Sequence, residues 1–389
     1  MPPLLPLPFH RDLADTLLAL EPGLFRWFGS DAYGKKYEDN VRLELLRFTY
    51  RLPREAHATL YAMADEVAAG LGIDRPVTLY QAQEDGPMNA GLVFVPSEVH
   101  VVFRGPILTR LTEGELRALF GHELAHHALW TAENARYRTV DALIEHMMIR
   151  GAPSHTCSAL RWRRWTELYA DRGGLLASGD LLAAIGCLVK VTTGLGTVDA
   201  AAYLAQAREV IAADDRSSTG VSHPETFIRA YALATFHEGA DEAPLKRLVE
   251  GKCEIDALDL VEQRALTRGT RDLVDQILAP KFMQTESALT HARRFFPEGT
   301  RTEPASFGWD GGESLAEYAA YVLLDFGMAD PEIEEIAMPH VAELASRLGI
   351  GRALAKIAKK ELRMSAATYA DLERQGRQRA AEPTEEVAS

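Results

Sequence analysis

Apolar positions recur at helical spacing over most of this chain, with one interruption in its first third. Between residues 11 and 72 the pattern predicts helices over Arg11 to Leu20 (stopped by Pro22), over Asn40 to Tyr50, and over Arg54 to Leu71, the last ending at Gly72. The period then shortens. Val77-Thr78-Leu79-Tyr80, Leu92-Val93-Phe94-Val95 and Val99-His100-Val101-Val102-Phe103 are β-branched and aromatic runs, separated by Asp85-Gly86-Pro87 and Pro96-Ser97. They predict a small sheet of about three strands.

Helical spacing returns at Pro106 to Arg110. Thr112-Glu113-Gly114-Glu115 has the form of a capping box, with a hydroxyl at the N-cap and a carboxylate three positions on. The helix it opens runs through Leu119-Phe120-Gly121-His122-Glu123-Leu124-Ala125-His126-His127. A sheet packed on this helix is what the order of elements implies, so the fold class is α+β and predominantly helical. From 132 to 296 the pattern is helical, with loops near Gly151 to Ser154 and Asp214 to Ser222. Pro297 to Glu313 is rich in Gly, Pro, Thr and Ser and reads as a linker. Helices resume from Ser314 to about Arg379, and residues 381–389 read as a disordered tail. The expected organisation is a first domain over 1–240, with its core at about 40–240, and an all-helical region over 241–380.

Composition narrows the function without naming it. A hydrophobic content of 47% and a charged content of 25% suit a globular protein with a sizeable core. A formal charge of −14 argues against nucleic acid, whose backbone needs a basic footprint, and against an anionic membrane surface. Cys157, Cys187 and Cys253 are odd in number and far apart, which fits a reducing compartment. The N-terminal MPPLLPLPFHRDLAD is apolar but broken by prolines, and lacks a basic n-region. The longest apolar run, Asp180 to Gly196, carries Lys190 and several glycines and falls short of the roughly 20 residues of a membrane span. The chain is therefore expected to be soluble, cytoplasmic and free of membrane spans.

The chemistry begins at His-Glu-x-x-His. An α-helix turns once in about 3.6 residues, so His122 and His126 project from one face and can both reach a single Zn²⁺. Glu123 stands beside them to handle the water that zinc activates. A catalytic site needs a third protein ligand. Glu167 is one candidate, because Glu167 and Asp171 are i and i+4 on a second predicted helix. One carboxylate could bind metal while the other accepts a hydrogen bond from a ligand imidazole. Taken alone, such a pair is more commonly a solvated helix surface. Glu145 is the rival, at a spacing after His126 found in some zinc aminopeptidases. His127 points about 100° away from His126 around the helix and is a poor co-ligand. His146 and His155 stand outside the motif, and His237-Glu238 lacks a second histidine.

Pro87-Met88-Asn89-Ala90-Gly91, the strand Val99 to Phe103 and Leu116 to His127 resemble the zinc-peptidase core of the HtpX and CaaX-endopeptidase family. So do Glu167-Leu168-Tyr169-Ala170-Asp171-Arg172 and Ser222-His223-Pro224-Glu225 with Arg229. The motifs occur in the family's order, and the resemblance covers roughly residues 40 to 240. It implies a zincin-like core of the gluzincin type, with one Zn²⁺ per chain held by His122, His126 and Glu167. It further implies Glu123 as general base, Asp171 as the hydrogen-bond partner of a ligand imidazole, and His223 and Arg229 near the site. His223 would be an oxyanion donor; as a plain loop histidine it would cap a helix before Pro224, and both readings stand. Asn89 would lie at the start of the edge strand above the metal, where it could hold the substrate backbone. The family's best-known members have transmembrane helices and this sequence has none, which puts a membrane or prenylated substrate in doubt. Leu324 to Glu332 resembles the helical tellurite-resistance type of domain, and the region is taken as a helical accessory domain, available to bind partners or to cover the cleft.

The expected activity is zinc-dependent endopeptidase action on an extended protein or peptide. The alternatives are a catalytically silent interaction protein built on the same core, and an aminopeptidase-like enzyme with Glu145 as third ligand.

Overall fold

The computed structural model describes residues 2–30, 41–83, 86–95, 97–213, 218, 221–251, 253–298, 307–309 and 311–381. Helices α1 (Pro8–Leu20) and α2 (Pro22–Phe28) come first, followed by a helix over 41–48 (α3). Then come β1 (Thr49–Arg51), α4 (Ala58–Gly70), β2 (Val77–Ala82), β3 (Asn89–Val95) and β4 (Glu98–Arg104). The sheet has four strands in the order β1-β2-β4-β3, one more than the pattern predicts. The end of the expected Asn40–Tyr50 helix is the added strand: Thr49 to Arg51 pair antiparallel with Ala82 to Tyr80. Thr49 and Tyr50 are β-branched and aromatic, and pairing satisfies backbone groups that would otherwise stand open along β2. Strands β2 and β4 run parallel, and β3 pairs antiparallel with β4 at the other edge.

After α5 (Ile107–Arg110) comes α6 (Glu113–Arg150), opened by the expected capping box: Glu115 N donates to Thr112 Oγ1 and Thr112 N to Glu115 Oε2. Leu79, Phe103, Ile107, Phe120 and Leu124 are fully buried where the sheet meets α6. Leu45 of α3 packs with Tyr80 and Val102 in a smaller cluster. Helix α6 is broken at 132–135, where Glu133, Asn134 and Ala135 take positive φ of 49°, 58° and 59°. Left-handed backbone costs a non-glycine residue about 1–2 kcal/mol. The Tyr137 hydroxyl, donating to Glu133 Oε1 over 2.7 Å, holds the turn.

Helices α7 (Pro153–Ser178), α8 (Leu181–Thr193), α9 (Ala200–Ala213), α10 (Thr226–Glu238) and α11 (Ala243–Glu250) complete the first of two compact units, residues 1–251. Helices α6 and α7 meet backbone to backbone. A Cβ on Gly121 would lie 2.4 Å from the Gly173 carbonyl oxygen, and one on Gly173 would lie 2.5 Å from Ala125 Cβ. Only glycine permits that approach.

The described elements of the second unit, 252–389, are helices: α12 (Leu260–Leu278), α13 (Glu286–Phe295), α14 (Glu313–Gly327), α15 (Glu334–Arg347), α16 (Gly351–Leu362) and α17 (Ala366–Ala381), with two short 3-10 turns. It has its own core, around Leu273, Leu323, Val341 and Leu354. Of the stretch read as a linker, 299–306 and 310 lie outside the described residues, and Trp309 is buried in this core. The tail from 382 onward also lies outside them, and Ala381 ends α17. Among the described residues no helix is long and apolar enough to cross a membrane.

Candidate metal centre and active site

Helical spacing on α6 brings the His122 and His126 rings to 5.1 Å between centroids. Helix α7 crosses at Gly121 and delivers Glu167 to the same point. Its Oε2 lies 3.8 Å from His122 Nε2 and its Oε1 lies 4.0 Å from His126 Nε2. One donor atom from each residue falls within 4.8 Å of the others, and this is the metal-competent group among the described residues. Glu145 is exposed on the second half of α6; it lines the cleft but is outside this donor group.

Asp171, one turn beyond Glu167, lies with its Oδ1 3.0 Å from His122 Nδ1. A carboxylate accepts, so His122 carries its proton on Nδ1 and turns the Nε2 lone pair into the group. Arg229 on α10 donates to both Asp171 oxygens, from Nε at 2.8 Å and Nη2 at 2.7 Å, and its Nη2 lies 3.2 Å from Glu167 Oε2. Two carboxylates and a guanidinium are thus locked behind the imidazoles.

The titration shifts follow from burial and these charges. Burial alone would lower His122, but the hydrogen bond and charge of Asp171 outweigh it, and the imidazole is raised. For His126, burial and the neighbouring His122 win and lower it to about 4. Burial would raise Asp171 and Glu167, yet Arg229 and the imidazoles hold both below the usual carboxylate range. Glu123, 6% exposed, is pushed up by burial, and a hydrogen bond from the Leu92 backbone partly offsets this.

The donor set fits zinc. Two imidazole nitrogens and a carboxylate oxygen, each about 2.0–2.2 Å from an ion, stand near 3.3 Å apart in a tetrahedron, so the observed spacings need to close by about half an ångström. His126 Nδ1 is buried with no hydrogen-bond partner among the described residues. Its lowered titration keeps the ring neutral and its Nε2 available as a ligand at pH 7.

The group opens into a cleft of about 540 Å³. Edge strand β3 forms one wall through Asn89, Gly91 and Leu92, and the Asn89 side chain accepts from Ala90 N at 2.9 Å. His223 overhangs the mouth, with its Nε2 3.5 Å from Glu167 Oε1 and its Nδ1 2.8 Å from Ser222 Oγ. The other histidines lie elsewhere. His127 is buried against Phe94, His146 packs on Phe28, and His155 Nδ1 accepts from Ala152 N at the start of α7. Sequence reasoning passed over Trp130, whose ring lies 5.7 Å from that of His126 at 30°. It also passed over Asp141, which accepts from Arg138 and from Trp162 Nε1 at the cleft wall. The signal for Trp130 was its place one helical turn after His126; Asp141 and Trp162 meet through tertiary packing and left none.

Residues 54–149 match the profile of Peptidase family M48, a span that takes in β2 to β4 and both imidazoles. The plastoglobule-localized metallopeptidase 48, chloroplastic, of Arabidopsis thaliana is 27% identical over 244 residues, covering 57% of this chain and 69% of that protein. No solved structure gives a significant match.

Proposed function

We propose that this chain, with its match to Peptidase family M48 over residues 54–149 and its likeness to a metallopeptidase, is a zinc-dependent endopeptidase that cuts extended polypeptide. The observation that carries the proposal is the meeting of the His122, His126 and Glu167 donor atoms beside the buried Glu123. Those three residues would hold one Zn²⁺ per chain. Bound there, zinc supplies a Lewis acid that brings the pKa of water toward roughly 7 and polarises a carbonyl.

The remaining work falls to the chain. Glu123 takes the proton of the attacking water and returns it to the leaving amine; its raised pKa brings it nearer the working pH of a general base. Asp171 keeps His122 in the ligating tautomer, and Arg229 balances the two carboxylates so that both stay ionised. His223, open to solvent at the cleft mouth, can donate from Nε2 to the carbonyl oxygen as it gains charge. Strand β3 is an edge strand of the sheet, and a peptide laid along it would be held by its backbone, with Asn89 at one end. Such a grip needs no free terminus, which favours internal cleavage. In this reading the first unit is the peptidase and the second a helical accessory unit.

Glu123→Gln tests the assignment. It should keep one zinc per chain by elemental analysis while peptide cleavage falls by about 10²–10⁴-fold or more. Undiminished cleavage would sink the role of Glu123. Glu167→Ala should lose zinc and Glu145→Ala should retain it, and the reverse outcome would favour the aminopeptidase-like arrangement.

A further inference from the structure

His223 is positioned without the help of burial. Its side chain is 64% exposed, in the short stretch that leads into α10. Two contacts on that stretch define its place. Ser222 Oγ lies 2.8 Å from Nδ1. Nε2, on the far side of the ring, lies 3.5 Å from Glu167 Oε1, so the Ser222 contact at Nδ1 leaves Nε2 turned to the cleft. The second contact comes from far away in the chain. Arg164 Nη1, on α7, donates to the Val221 carbonyl over 2.9 Å.

Arg164 is 4% exposed, and burying a cation costs several kcal/mol unless it is well partnered. Arg161, one turn earlier on α7, adds like charge. Burial and that neighbour lower Arg164 only to about 10, so it remains charged and donating at neutral pH. Its Nε has no hydrogen-bond partner among the described residues. Its one described hydrogen bond therefore goes to the backbone carbonyl immediately before Ser222-His223. Among the described residues, the other ties of this stretch, Ser218 N to the Leu248 carbonyl and Ser218 to Glu225, lie to either side of Val221. Arg164 and Glu167 are i and i+3, on one face of one rigid helix. The helix that presents the carboxylate thus also sets the distance to the imidazole above it.

We propose that Arg164 is a positioning residue which, through the Val221 carbonyl, fixes the Ser222–His223 pair so that His223 Nε2 projects into the cleft beside Glu167. The kinetic arm of its test rests on the peptidase reading above; the spectroscopic arm does not. In the zinc-loaded full chain, Arg164→Met should lower kcat about as far as His223→Ala does, with KM and zinc content unchanged. In the His223→Ala background it should add less than about a twofold further loss, because coupled residues are not additive. Arg164→Lys, which keeps a donor, should recover part of the loss. With ¹⁵N-histidine labelling and His223 assigned from His223→Ala, Ser222→Ala and Arg164→Met should each shift the Nδ1 and Nε2 signals of His223. Additive kinetic losses, an undiminished kcat, or an unmoved His223 spectrum in Arg164→Met would each overturn the proposal. If Arg164→Met fails to fold, Arg164→Lys carries the same cycle with a smaller loss. A native chain that cleaves no peptide would refute the peptidase reading, and the His223 spectrum would then decide the role of Arg164.

Discussion

Gly121→Ala is a substitution that any helix-propensity scale favours, by about 1 kcal/mol. The structure predicts the opposite. The added Cβ would stand 2.4 Å from the Gly173 carbonyl oxygen, 2.5 Å from Ala177 Cβ and 2.8 Å from Gly174 Cα. Carbon contacts sit near 3.5–4.0 Å, so α6 and α7 would have to part by about 1 Å. Two of the three contacts are backbone and cannot rotate away. Overpacking against backbone falls at the upper end of the usual cost of about 1–3 kcal/mol, so after the propensity gain of about 1 kcal/mol the net loss is up to about 2 kcal/mol. The second consequence is specific to the site. His122 and His126 ride on α6 and Glu167 on α7, with donors 3.8 and 4.0 Å apart. Ligand distances of about 2.0–2.2 Å allow two donors to share an ion only up to about 4.2 Å, and then only in a straight line. Parting the helices by 1 Å exceeds that limit, so strain must be overcome again on metal binding, and zinc affinity should fall at least about tenfold. Urea unfolding and zinc titration against a chromogenic chelator read the two effects separately. Gly23→Ala, in α2 with nothing within 4 Å of its Cβ, is the control and should be neutral or slightly stabilising. A Gly121→Ala protein that matches the native chain in both stability and zinc affinity would refute the close-crossing argument.

Two further outcomes follow from buried charge. Lys190 Nζ lies 2.8 Å from Glu115 Oε2, both side chains under 10% exposed, and this pair ties the cap of α6 to α8. Lys190→Met strands the carboxylate and should destabilise the first unit by about 3 kcal/mol in urea, while adding Glu115→Gln should recover much of it; a single variant as stable as the native chain would refute this. His10 is fully buried among Tyr137, Trp162 and Tyr169, and burial, then the charges of Arg172 and Arg11, lower it to about 3. Its folded pKa lies below the unfolded value of about 6.5, so the unfolded chain binds the extra proton and stability is lost as pH falls from about 6.5 toward 3. The loss is at most about 5 kcal/mol. His10→Gln should flatten that acid limb of the stability profile, and an unchanged slope would exclude His10 as its source.

How much of this was readable in the sequence depended on whether a feature lies along one element or between two. The α6 cap, the shared face of His122 and His126 and the i, i+4 pair Glu167–Asp171 are each local to one helix, and periodicity exposes them. Strand β1 was misread as helix, because three residues at the end of an apolar stripe are extended only through pairing with β2, some thirty positions on. The break at 132–135 contains neither glycine nor proline, and packing imposes it on residues that would otherwise continue the helix. Lys190 looked like an interruption in an apolar run, but its partner is Glu115, which no local pattern could reveal. Arg164 was passed over for the same reason, since its acceptor is a backbone carbonyl 57 residues away.

The preference for Glu167 over Glu145 as third donor is the most instructive case. By spacing alone both remained open, and motif order rather than geometry favoured Glu167. In the fold, residues with no side chain to offer bring Glu167 rather than Glu145 to the imidazoles. Gly121 precedes His122, and Gly173 and Gly174 follow the Glu167–Asp171 turn. Without Cβ atoms the two helices cross at backbone distance, and one turn beyond the crossing their facing side chains converge within the span of an ion. Glu145 lies beyond the break in α6, on a segment turned to the cleft wall, and no crossing of that kind draws it inward. A glycine inside a helix ordinarily reads as a weak helix former. Beside candidate metal ligands on two helices it marks where they touch, and it limits which carboxylate can reach the imidazoles.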